Sequence, residues 1–133
     1  MSMSTIHVSK EEVTLVRSWL ALKFTQRILE RDSRVMEESG LLRSPQVYVE
    51  MLLAAVERSS IVLEEISSEL DKHQIHIKKV KQDEFGIEAC YQCRGALGRI
   101  FILWSALQRD LSQRMRAYLG LGSVPINVAI PSI

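Results

Sequence analysis

Two cysteines, three prolines and six glycines are all that 133 residues contain of the types that staple or break a chain. No apolar run approaches the roughly 18 consecutive residues that cross a bilayer, because charges interrupt every helix-like segment. A membrane span and a disulfide-dense secreted scaffold are both excluded on those grounds. The N-terminus lacks a basic region followed by an apolar stretch and a small-residue cleavage site, so the expected compartment is the cytoplasm, with the cysteines reduced.

Charge of one sign is also missing. Seventeen Lys plus Arg stand against sixteen Asp plus Glu, a net charge of +1, which disfavours a general phosphate-backbone binder. The distribution is uneven: residues 1–70 hold eight basic and eleven acidic side chains, and 71–133 hold nine and five, so the two halves should attract each other. Catalytic signatures are absent too. There is no phosphate loop, no G-x-G-x-x-G turn, no nucleophile elbow and no H-E-x-x-H, and three histidines without a partnered nucleophile give no reason to expect an enzyme.

What is present is helical patterning in a chain of single-domain size. A hydrophobic fraction of 47% and a charged fraction of 25% describe an ordinary globular protein. Ser9-Lys10-Glu11-Glu12 has the form of a capping box, and from Val13 the residues Val16, Leu20, Phe24 and Ile28 recur at helical spacing until Ser39-Gly40 stops the helix. A second helix is expected from Ser44-Pro45 to about Leu70, with proline at its first turn. The runs at 75–81 and 87–91, separated by Gln82-Asp83-Glu84-Phe85-Gly86, suggest a β-hairpin or an irregular loop. A third helix is read from Arg94-Gly95 onward, through Leu97, Ile100, Trp104, Leu107, Leu111, Met115 and Tyr118.

The expected fold is therefore mainly α: an antiparallel bundle of three long helices over residues 1–119, interrupted by a hairpin at about 75–92. Residues 120–133 form an apolar tail, packed or disordered. Over 47–56 and 100–107 the apolar residues sweep more than one helical face, which implies a self-association surface comprising Val49, Leu53, Val56, Ile102 and Leu103. The expected partner is a second copy, with another protein as a further candidate.

One constellation has metal-ligand types. His73-x2-His76 and Cys90-x2-Cys93 offer two imidazoles and two thiolates, the donor set of a closed tetrahedral zinc site. Against it, residues three apart in a strand face opposite ways, so Cys90 and Cys93 converge only where the strand gives way to a turn. Lys78, Lys79, Lys81, Arg94 and Arg99 gather enough cations for phosphate or an acidic partner, although lysines on a strand edge equally serve to block aggregation. A zinc-stabilised nucleic-acid or regulatory module centred on 73–95 is thus the alternative to the helical interaction module. Trp19 and Trp104 are read as core.

Overall fold

The computed structural model describes residues 8–121. The elements run α1 (Lys10–Glu38), α2 (Pro45–Lys72), β1 (Ile75–Gln82), β2 (Gly86–Cys93), β3 (Ala96–Leu103) and α3 (Trp104–Tyr118). The strands form one antiparallel meander in the order β1-β2-β3. The expected bundle of three long helices is therefore wrong: the chain is a long helical hairpin, a three-stranded sheet and one shorter helix. The C-terminal tail of the sequence reading falls almost wholly outside the described residues.

The first two helices start and stop on local chemistry. The Ser9 hydroxyl accepts from the Glu12 N–H at 3.1 Å while the Glu12 carboxylate accepts from the Ser9 N–H at 3.0 Å, a complete capping box. Between the helices, Gln26 donates to Ser59 Oγ at 2.9 Å and to Ser60 Oγ at 3.1 Å, which satisfies a buried amide across the seam. At the far end of α2 the chain reverses through Gln74, whose φ of 57° is a left-handed helix stop.

The third helix was misplaced because its first eight residues are a strand. Arg94 and Gly95 have φ of 47° and 89°, the two positive values of a type I′ turn, and this two-residue loop joins Cys93 to its partner Ala96. Arginine rarely opens such a turn, so the sequence hid it. Residues 96–103 then pair along the whole of β2, from Cys93↔Ala96 to Gly86↔Leu103. In this context Leu97 and Ile100, which share a helical stripe on paper, point to opposite faces.

Alternation along β2 sorts the sheet into two faces. Ile87, Ala89, Tyr91 and Cys93 are buried against Val16, Leu20 and Ala21 of α1, Leu70 of α2 and Leu107 and Leu111 of α3. At the sheet edge of this core, Trp104 donates its indole N–H to the Asp83 carbonyl at 2.8 Å and packs against Phe24 with ring centroids 5.5 Å apart. A second cluster around Leu29, Leu52 and Ala55 is closed by Met115 and Tyr118 of α3 and by its C-cap Leu119, and Arg58 ties this end by donating to the Tyr118 carbonyl. The helices cover only one side of the sheet.

Candidate functional site

The opposite face of the sheet carries the side chains that alternate with the core residues. On β2 these are Glu88, Cys90 and Gln92, each half-buried as expected of a central strand. Register places His76 beside Gln92, Lys79 beside Cys90 and Lys81 beside Glu88 on the β1 side. On the β3 side Leu97 lies beside Gln92, Arg99 beside Cys90 and Phe101 beside Glu88. Cys90 thus lies between two cations, and its thiol donates to Glu88 Oε1 at 3.7 Å.

Among the exposed apolar residues, the stripe on β3 is notable because three belong to one strand face: Leu97 at 82% exposure, Phe101 at 44% and Leu103 at 55%. An open depression lined by Lys78, Cys90, Leu97, Gly98 and Arg99 adjoins it. The two sheet edges differ. β1 carries Lys78, Lys79 and Lys81 and a register break between Ile77 and Lys79, both of which discourage a further strand. β3 pairs with β2 in continuous register and has neither a proline nor a bulge.

The backbone groups that β3 offers at its free edge follow from one hydrogen bond. The Trp104 N–H donates to the Phe85 carbonyl at 3.1 Å, so this pair is of the hydrogen-bonded type and the pairs alternate from it. Gly98, Ile100 and Ile102 therefore direct their N–H and C=O groups to β2. Leu97, Arg99 and Phe101 direct both of theirs outward, away from the sheet, as Leu103 does its N–H, its carbonyl serving as the N-cap of α3. No other strand among the described residues takes them.

The sites read from the sequence are dispersed by this geometry. Cys93 is buried on the helix-facing side of the sheet and Cys90 lies on the other, while His76 is exposed. Burial pushes the Cys93 thiol up, the direction that disfavours a thiolate ligand or nucleophile. His73 caps α2 and its Nδ1 lies 2.9 Å from Glu12 Oε2. The four proposed zinc ligands do not gather, and no group of three or more His, Cys, Asp and Glu suited to a metal exists among the described residues.

The cations divide similarly. Lys79, Lys81 and Arg99 share the open face and Lys78 borders it at the bulge, whereas Arg94 is committed elsewhere. Its guanidinium grips Glu12 in bidentate fashion, Nη1 to Oε2 at 2.6 Å and Nη2 to Oε1 at 3.1 Å, and also donates to the His73 carbonyl at 3.0 Å. Hydrogen bonds from Arg94 and from the Ser9 N–H hold the Glu12 carboxyl far below the usual carboxylate range, against the opposing effect of burial, with a further contribution from His73. One carboxylate ties the start of α1 to the end of α2 and to the β2–β3 turn. The capping box announced Glu12, but nothing in the sequence paired it with an arginine 82 positions away.

Of the residues read as a self-association surface, Leu53 and Leu103 are exposed and Val49 and Val56 half-buried, Val56 within the second core cluster. Ile102 is 2% exposed and faces the helices, so it cannot line an interface. Leu97 and Phe101 were missed because both were placed on a helix.

No helix among the described residues is long and apolar enough to cross a membrane. A family model described as the YhjD protein matches residues 7–123 of the 133. No curated protein and no solved structure matches the chain.

Proposed function

We propose that this chain, which belongs to the YhjD protein family, is a small cytoplasmic protein–protein interaction module that works as a homodimer and has no enzymatic activity of its own. The observation that carries this reading is the bare side of the sheet, where an apolar stripe of Leu97, Phe101 and Leu103 runs along a strand whose outer edge lacks a partner strand among the described residues. Apolar surface in water favours association at about 25 cal/mol per Å² buried, and unpaired strand groups supply direction that apolar contact alone lacks.

A second apolar surface lies on the first half of α2, with Val47, Tyr48, Met51 and Leu53 exposed. Of these, only Leu53 belongs to the surface expected from the amino-acid pattern, which comprised Val49, Leu53, Val56, Ile102 and Leu103. A helix satisfies its backbone groups internally, however, so this patch offers grease without hydrogen-bonding direction. β3 offers both, and the reading rests there.

Light scattering coupled to size-exclusion chromatography tests association directly. The expected mass at tens of micromolar is twice the 15.2 kDa of the chain, declining toward the monomer on dilution. A 15.2 kDa species at every concentration up to the millimolar range removes the proposal.

A further inference from the structure

We infer that two copies of the chain pair through β3 in antiparallel register centred on Ile100, joining their sheets into one of six strands. The inference rests on the dimer reading above and specifies its geometry. It begins with the groups that β3 presents outward: those of Leu97, Arg99, Phe101 and the N–H of Leu103, whose carbonyl opens α3 as its N-cap. An antiparallel partner must place an outward-pointing residue opposite another of the same kind. Only registers that pair odd-numbered residues with odd-numbered residues satisfy that condition.

Among those registers, charge and coverage choose. Centring on Arg99 sets Arg99 opposite its own copy, which places two like charges directly across the junction. Centring on Phe101 leaves Leu97 beyond the end of the partner's strand and its exposed side chain uncovered. Centring on Ile100 sets Arg99 opposite Phe101 of the second copy and Leu97 opposite Leu103. The guanidinium then meets an aromatic ring, a favourable contact, and the two leucines meet each other, twice over by symmetry. All the outward-facing residues are used.

Specificity for a second copy, rather than for an unrelated strand, comes from this self-complementarity. The sequence Leu97-x-Arg99-x-Phe101-x-Leu103 reads as its own partner when reversed about Ile100. Pairing through β1 is blocked by its lysines and bulge, so the association closes at two copies and does not extend into a fibre. On the joined sheet, the open face would carry a central band in which Leu97, Phe101 and Leu103 of both copies surround Arg99, flanked on both sides by Lys79 and Lys81.

Engineered cross-links test the register. In a Cys90→Ser background, a chain carrying both Leu97→Cys and Leu103→Cys is oxidised under non-reducing conditions. Opposed residues of a hydrogen-bonded pair have Cα atoms about 5.5 Å apart, within disulfide range. The expected result is a covalent dimer from the double variant and none from either single variant. Within one chain the two positions lie about 20 Å apart at roughly 3.3 Å per residue, so no internal bond competes. Covalent dimer from a single variant overturns the register.

A Phe101→Glu variant supplies the second readout: its carboxylate lies opposite Arg99 of the second copy only in the proposed register, so the dimer is expected to persist, and its dissociation into folded monomers overturns that register. Its partner is Arg99→Glu, which the register predicts to separate into monomers by setting carboxylate against the Phe101 ring. Far-UV circular dichroism checks that each variant stays folded. A dimer that persists in Arg99→Glu, or a double-cysteine chain that dimerises without cross-linking, overturns the register while leaving the dimer standing. A chain that is monomeric without any substitution overturns both.

Discussion

Replacing Gly86 by alanine is expected to destabilise the fold by about 3 kcal/mol, at the upper end of what overpacking usually costs. A Cβ built there lies 2.1 Å from the Ile102 carbonyl oxygen and 2.9 Å from both the Ile102 carbonyl carbon and Phe101 Cζ. Two of those three atoms are backbone of the neighbouring strand, so no side-chain rotation relieves the contact. Gly86 opens β2 opposite Leu103, and its N–H donates to Asp83 Oδ1 at 3.0 Å in the turn. Separating the strands there would loosen the hinge from which α3 departs. Urea denaturation followed by circular dichroism measures the change, and a midpoint equal to that of the unsubstituted chain would show that the strands do not approach as described.

Substitution of Glu12 by alanine is expected to cost on the order of 2 kcal/mol, since it removes a helix cap and a charge-assisted pair together. Glutamine retains an oxygen for the Ser9 N–H and loses only the charge, so its effect should be about half as large. The pH dependence separates the two contributions. Arg94, Ser9 and His73 all hold the folded-state carboxyl below its unfolded value. The stability that Glu12 supplies is therefore fully present above the unfolded value, about 4.3, and is lost as pH falls from there toward the folded value. Thermal melts of the unsubstituted chain between pH 6 and pH 3 should show a steeper decline than those of Glu12→Gln. Parallel declines in the two proteins would mean that the Arg94 contact contributes nothing in solution.

The helical hairpin was legible in the amino-acid pattern because its signals are local. Ser9 and Glu12 lie three residues apart, and Gly40 and Pro45 mark the turn by chemistry that operates within a few residues. The third strand was not legible. Over 96–103 the apolar residues fill both sheet faces, since one side packs on helices and the other, uncovered among the described residues, carries Leu97, Phe101 and Leu103. Without polar alternation a strand and a helix look alike. Leu107, Leu111 and Met115 form a true helical series, and reading it backward through Ile100 extended a real helix by two turns too many.

The candidate sites failed for a related reason. His73, His76, Cys90 and Cys93 are near one another in the chain, but a strand sends residues three apart to opposite faces, and Cys93 went to the core. The interaction surface was sought on α2 and an imagined long α3 because excess apolar surface was visible and its arrangement was not. Of the five residues named for it, Leu103 lies on the β3 stripe.

The joined sheet has a consequence for its open face. It would bring two sets of Lys79 and Lys81 to the flanks of a centre in which Leu97, Phe101 and Leu103 of both copies surround Arg99, a surface that neither copy presents alone.

Amide hydrogen exchange along β3 tests the central claim most directly, because the strand contains its own control. Gly98, Ile100 and Ile102 face β2 and should be protected at every concentration. The amides of Arg99 and Phe101 face outward, and they are expected to be protected when the chain is concentrated and to exchange freely on dilution. Rapid exchange at Arg99 and Phe101 under conditions where light scattering records a dimer would contradict the pairing of β3 with its copy.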